Sequence, residues 1–200
     1  LKQRGRLLEP VRHRVRRTTR TARPHAIRKP QGYSIASPGD LIQIDTVHLH
    51  PLPGVTRYQV SAIDVVSRQA YGLVTGAASA ARASVILDLI MTQSPVPIRA
   101  VQVDGGSEFM AEFESACQQR GLRLFVLPPR SPKLNGCVER FNGTSRREFW
   151  ECYDGDLAVP QAHQALIDWL VIYNHIRPRQ TLGYRTPAAA RAADRLHTMY

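Results

Sequence analysis

Three acids sit where their residue types invite explanation: Asp45, Asp104 and Glu139. Asp45 interrupts the apolar run Leu41, Ile42, Ile44, Val47, Leu49, which reads as a strand buried on both faces. Aspartate is a poor strand residue, and an ionised carboxylate is costly to desolvate without a partner. A strand-end carboxylate capping a turn is an equally open reading. Asp104 ends the strand in "VQVDGGSEF". Asp-Gly is a common turn pair, yet ligands of open α/β sheets gather beyond the carboxyl ends of strands. Glu139 follows a stiff loop in "PPRSPKLNGCVERFNGT", residues 128–144. Alone it is a first-turn acid compensating a helix dipole. Two aspartates on neighbouring strand ends repel unless a cation lies between them. Mg²⁺ takes few protein carboxylates and fills its shell with water and phosphate oxygens. That combination is the chemistry of metal-assisted phosphodiester cleavage.

The elements that position these acids can be read from periodicity. "SPGDLIQIDTVHL", "RYQVSAIDVVS", "AYGLVT", "IRAVQVDGG" and "LRLFVLP" read as five strands, with "PLPGVT" a turn between the first two. "ASAARASVILDLIMTQS" reads as a helix with Val85, Ile86, Leu89 and Ile90 on its buried face and Pro95 as its stop. "SEFMAEFESACQQRG" reads as a second helix, with Ser107 as N-cap and Gly121 as its end. A third is expected from Gly136 to about Cys152. Its core face is then Val138, Phe141, Ser145, Phe149 and Cys152, with Glu139 on a flank shared with Asn142, Gly143, Arg146 and Trp150. A fourth runs near Ala162 to Tyr173. Hairpin strands followed by alternation with helices imply a mixed five-stranded α/β sheet with helices on both faces.

Charge divides the chain. Residues 1–30 hold 11 of the 27 Lys and Arg and one acid, Glu9, within a net charge of +11. A segment that basic and proline-broken packs no core and is suited to neutralising phosphates. Cys117, Cys137 and Cys152 form no CxxC pair, which fits a reducing compartment and neither a disulfide frame nor a Cys-type zinc site. No apolar run approaches the ~18 residues of a membrane span. His48 and His50 form a His-x-His with no companion Cys/His cluster and read as strand-end polar residues. Asp64, another strand acid, stands outside the trio.

The blocks "LIQIDTV", "VQVDGGSEF" and "SPKLNGCVERFNGT" resemble the three catalytic blocks of the DDE transposases of bacterial insertion sequences and of retroviral integrases. The separation of 35 residues between Asp104 and Glu139 is similar to that superfamily's spacing. "IDVVSRQAYG", residues 63–72, resembles its second-strand block, and "YNHIRPRQTLGYRTPAAA" resembles the tail of insertion-sequence transposases. The likeness spans residues 34 to 190. It implies an RNase H-like fold in which Asp45, Asp104 and Glu139 bind two Mg²⁺ or Mn²⁺ ions. It also implies nicking at element ends, then attack of the freed 3′-hydroxyl on target DNA. Asp64 is expected to be structural or to support the ligands.

Three regions are expected: a basic arm over 1–33 following a DNA-binding module upstream, a catalytic core over 34–155, and a helical extension with a basic tail over 156–200. Expected DNA contacts are Arg130, Lys133 and Asn135 in the loop and Arg140, Arg146 and Arg147 on the helix. A homo-oligomer on DNA, bridging element ends and target, and a cytoplasmic, nucleoid-associated location in a bacterium follow from the same resemblance. Two other readings remain: a catalytically silent DNA-binding protein derived from a transposase, and a hydrolytic RNase H-like nuclease. Proofreading exonucleases of this fold begin with Asp-x-Glu, whereas Asp45 is followed by Thr46 and Val47.

Overall fold

Apolar runs broken by Pro-Gly and Asp-Gly turns build the sheet, and the helices fill in over its two faces. The computed structural model describes residue 23 and residues 25–128 and 132–197. Its strands are β1 (Ala26–Ile27), β2 (Ile42–Leu52), β3 (Val55–Asp64), β4 (Ala70–Thr75), β5 (Ala100–Val103) and β6 (Arg123–Val126). They lie in the order β1-β6-β5-β2-β3-β4. β2, β3 and β4 form an antiparallel meander, and β5, β6 and β1 continue the sheet in parallel.

The sheet thus has six strands, not the expected five. The sixth is the two-residue β1, contributed by the stretch read as basic arm and paired with Leu124 and Phe125. Two residues carry no readable periodicity, which is why the pattern missed it. Arg23 pairs with Glu114 and donates to the Phe109 carbonyl, and Arg28 donates to the Val126 carbonyl. The end of the arm is therefore fastened along the β6 edge.

One face carries α1 (Ala80–Gln93) and α2 (Glu112–Gln119), the other α3 (Gly136–Ser145) and α4 (Val159–Val171), and α5 (Pro187–His197) ends the described chain. Under α1 and α2, Ile42, Ile44, Val101, Val103, Ile86, Leu87, Phe109 and Phe113 form the larger core. Under α3 and α4, Ile63, Ala70, Val74, Val138, Phe141 and Leu166 form the second. Gly72 permits that second layer: a Cβ there would stand 3.0 Å from Leu166 Cδ2 and 3.2 Å from Leu170 Cδ1. Among the described residues no helix is long and apolar enough to cross a membrane.

Three local expectations are corrected. On α1 the buried stripe is Ala83, Ile86, Leu87 and Ile90, while Val85 is 42% exposed. The helix is turned so that Leu87 takes the inward place. Ser107 opens a 3₁₀ turn, Ser107–Phe109, rather than capping α2, because the backbone breaks at Ala111 (φ 44°) before the helix begins. Past Ser145, α3 widens into a π turn over Arg146–Trp150. A wider turn shifts every later side chain off the 3.6-residue frame, so Cys152 is exposed and not on the core face.

Candidate active site

The alternation of β2 sends Ile42 and Ile44 into the larger core and turns Gln43 and Asp45 toward α3. In the parallel pairing, Ile42 faces Val101 and Gln43 faces Gln102. Counting two residues further along each chain brings Asp45 level with Asp104. The third acid must then come from α3, and its placement depends on where that helix starts.

Gln43 settles the start. Its amide Nε2 donates a hydrogen bond to the Leu134 carbonyl at 2.9 Å. Its Oε1 accepts the backbone N–H groups of Cys137 at 3.0 Å and Val138 at 3.1 Å. Gln102 Nε2 donates to the same Leu134 carbonyl at 2.8 Å. Helix N-termini leave N–H groups without intrahelical partners, and here a strand glutamine, not a local cap, satisfies two of them. Asn135 at the cap position makes no side-chain cap bond. Both glutamines are buried, so the sheet face beneath the start of α3 is polar and bonded rather than apolar. Sequence reasoning passed over them. Their signal is that each stands two residues before an aspartate in an otherwise apolar strand.

Gln43→Leu is expected to destabilise the fold by about 2–4 kcal/mol, because it leaves the backbone N–H groups of Cys137 and Val138 without their acceptor, while the Leu134 carbonyl keeps Gln102. Urea unfolding would measure it, and an unchanged midpoint would mean the helix start is held by something else.

With α3 so anchored, Val138 and Phe141 enter the core, 0% and 1% exposed, while Glu139 is exposed on the flank. Asn142, one turn on, donates through Nδ2 to Asp45 Oδ2 at 2.8 Å. Asp45 is half-buried, and its carboxyl is pushed from 3.8 up to about 6. Burial is the largest cause, the Asp104 charge the next, and Glu139 adds to it, against hydrogen bonds from Thr46 and Asn142. The three acids therefore share one electrostatic neighbourhood. Among the described residues no Lys or Arg pairs with them: the ion pairs there join Arg23, Arg99, Arg120 and Arg177 to other acids.

Among the described residues no three His, Cys, Asp or Glu side chains stand close enough together to hold a metal ion. Asp104, exposed, accepts the Gly106 N–H at 2.9 Å, so its carboxylate serves the Asp-Gly-Gly turn. The donor set nevertheless fits a hard divalent cation, since it is all carboxylate oxygen, mutually repelling and unneutralised.

The remaining residues divide by position. Asp64 is a turn organiser: it accepts the N–H groups of Gly39, Val66 and Ser67 and the Ser67 hydroxyl. His48 rests edge-on against Tyr58, and His50 faces Thr56. Arg146 lines a cavity of about 640 Å³ with His48, Trp150 and Tyr153, further along α3 from Glu139. Arg147 is exposed. Arg140 is exposed on the other flank of the helix. Asn135, 4% exposed, is buried beneath the start of α3 and offers no surface to a DNA groove. Arg130 and the side chain of Lys133 lie outside the described residues.

Two family models, each described as an integrase core domain, match residues 36–132 and 120–187. An uncharacterized 39.2 kDa protein of insertion element IS476 from Xanthomonas euvesicatoria is 36% identical over 99 residues, 48% of this chain. The match spans only 28% of that relative's length. A chain of the simian T-cell lymphotropic virus intasome, solved in complex with PP2A regulatory subunit B56 gamma, superposes with a TM-score of 0.69 at 19% identity, covering 83% of this chain and 58% of that one. The catalytic core domain of BIV integrase gives 0.63 at 20% identity over 80% of this chain and 98% of that one. The HTLV-2 integrase core, solved with magnesium, gives 0.62 at 16% identity over 78% and 97%. At such identities these likenesses speak to the fold.

Proposed function

Because this chain belongs to the integrase core domain family, we propose that it is the catalytic part of a metal-dependent DNA transposase, nicking element ends and joining their 3′-hydroxyls to target DNA. The observation that carries this reading is the setting of Asp45, whose carboxyl is held up by burial and by Asp104 and Glu139, with no ion pair to any of the three acids among the described residues. Acids from three separate stretches of chain are gathered at a cost to one another, which is the arrangement a cation relieves.

Asp45, Asp104 and Glu139 would hold the Mg²⁺ or Mn²⁺ ions, two in the full site. Bound there, the metal supplies a lowered pKa for the attacking water or hydroxyl and charge neutralisation at the leaving oxygen. Asn142 would orient Asp45 by its 2.8 Å hydrogen bond to Oδ2. Gln43 and Gln102 fix the helix start and so the bearing of Glu139. A slip of one residue would swing Glu139 by about 100°. Arg146 and Arg147, in the π turn that continues α3, would meet DNA phosphates. DNA and further copies of the chain are the partners this function requires.

The test offers the protein a labelled duplex with a free 3′-hydroxyl end and a supercoiled target plasmid, with Mg²⁺ or EDTA. Covalent joining that needs Mg²⁺ is the expected result. Cleavage without joining would assign a hydrolytic nuclease, and salt-dependent binding with no Mg²⁺-dependent product would assign a DNA-binding protein without catalysis.

A further inference from the structure

Behind the start of α3, on the flank away from Glu139, lies a cavity of about 330 Å³. Gln43, Cys137, Arg140, Tyr173, Arg179 and Arg68 line it, and among the described residues no acidic one does. The three arginines come from three places: the β3–β4 turn, α3, and the loop after α4. None of them has an ion-pair partner among the described residues, whereas nearby Arg177 is paired with Glu148. Arg68 contacts the Cys137 sulfur. Arg179 lays its guanidinium over the Tyr173 ring, 3.8 Å from its centroid, and its Nε and Nη2 are buried without a hydrogen-bond partner.

Two of these arginines are held in place by backbone devices. Arg68 sits at φ 62°, and its N–H is bonded to the Asp64 carbonyl at 3.0 Å. A non-glycine residue in that region costs roughly 1–2 kcal/mol. Arg179 opens a closed loop: its N–H donates to the Arg185 carbonyl at 3.0 Å, and its carbonyl accepts the Tyr184 N–H at 2.9 Å. Gly183 and Tyr184, at φ 62° and 61°, make the reversal. Three like charges converging on one concavity repel, and nothing in the described chain neutralises them. Guanidinium groups bind phosphate oxygens in pairs of hydrogen bonds.

We propose that this cavity is a binding site for a backbone phosphate of DNA, held by Arg68, Arg140 and Arg179. Arg140 follows Glu139 on α3 but faces the opposite flank, so the occupant is a different phosphate of the bound DNA from the one the acids act on. The proposal rests on the transposase reading only for that identification of the ligand. The segment carrying Arg179 thereby gains a role: it closes the cavity and sets the charge in it.

The test is fluorescence anisotropy of a labelled DNA duplex with the full chain, in EDTA and across 50–200 mM salt, on an Asp104→Asn background that removes catalysis from the measurement. Arg68→Gln and Arg140→Gln are each expected to weaken binding roughly tenfold, as for loss of a hydrogen bond to a charged group. Each should also lower the slope of log affinity against log salt by about 1. Arg82→Gln, at an exposed position of α1 across the sheet, is expected to change neither. Thr181→Glu, which lines the cavity on an exposed position and leaves all three arginines intact, is expected to weaken binding as much, with an unchanged melting temperature. Wild-type affinity and salt slope in Arg140→Gln and Thr181→Glu would overturn the site. Binding lost in these variants while the parent protein joins no DNA would overturn the catalytic reading and leave this one standing.

Discussion

Asp104→Asn is expected to abolish Mg²⁺-dependent nicking and joining, by roughly 10³-fold or more, while leaving the protein folded. The change keeps the volume and one oxygen of the side chain and removes a negative ligand. Both gains that a bound metal supplies, an activated nucleophile and a stabilised leaving oxygen, then fail together. Asp104 is exposed and its carboxylate accepts the Gly106 N–H, which the asparagine carbonyl can also accept. Melting temperature and metal-free DNA affinity should therefore stay near wild type. Glu139→Gln, exposed on the flank of α3, should behave the same way. If Asp104→Asn cut DNA at the wild-type rate, these acids would not be the site.

Asp45→Asn should also abolish catalysis, but with the opposite effect on stability: the metal-free protein becomes more stable at neutral and alkaline pH. The folded state raises the Asp45 carboxyl from 3.8 up to about 6, first by burial and then by Asp104 and Glu139. The fold therefore favours the protonated acid. The stability this protonation contributes is full below 3.8 and is lost as pH rises to about 6. Above that, the ionised group costs on the order of 3 kcal/mol, which a neutral asparagine avoids. Urea unfolding in EDTA from pH 4 to pH 8 checks this. The gap between variant and wild type should open between pH 4 and 6 and then level off, and millimolar Mg²⁺ should narrow it by stabilising the wild type alone. A gap that does not vary with pH would show that Asp45 carries no such strain.

Those two substitutions separate what each acid contributes. Asp104 stands in solvent at a turn and can change without structural cost. Asp45 is built into the sheet, and its charge is held there against the folding energy. Sites that hold charge in this way commonly do so for function, at the expense of stability.

Much of this was legible along the chain. The apolar run around Asp45, the Asp-Gly-Gly stop after β5 and the proline-rich approach to Glu139 are local signals. They located the strands β2 to β6 and the helices α1 and α4 nearly where they lie, because burial on one or two faces imposes its own period. Errors arose where the backbone leaves that period. The π turn after Ser145 turned Cys152 outward, the break at Ala111 took the cap from Ser107, and β1 is too short to have a pattern.

Residue type and spacing alone single out three acids as candidates for a hard cation, 35 residues between the last two, on a mixed sheet with a strongly basic leading segment. Side-chain chemistry and hydrophobic period are properties of a residue and its near neighbours, so they survive in one dimension. Tertiary structure decided which acid feels which, that Gln43 and Gln102 seat the helix bearing Glu139, and that Arg68, Arg140 and Arg179 converge on one cavity. Each of those depends on strand register and helix docking across scores of residues. Such contacts are fixed by the packing of whole layers, and no local pattern records them.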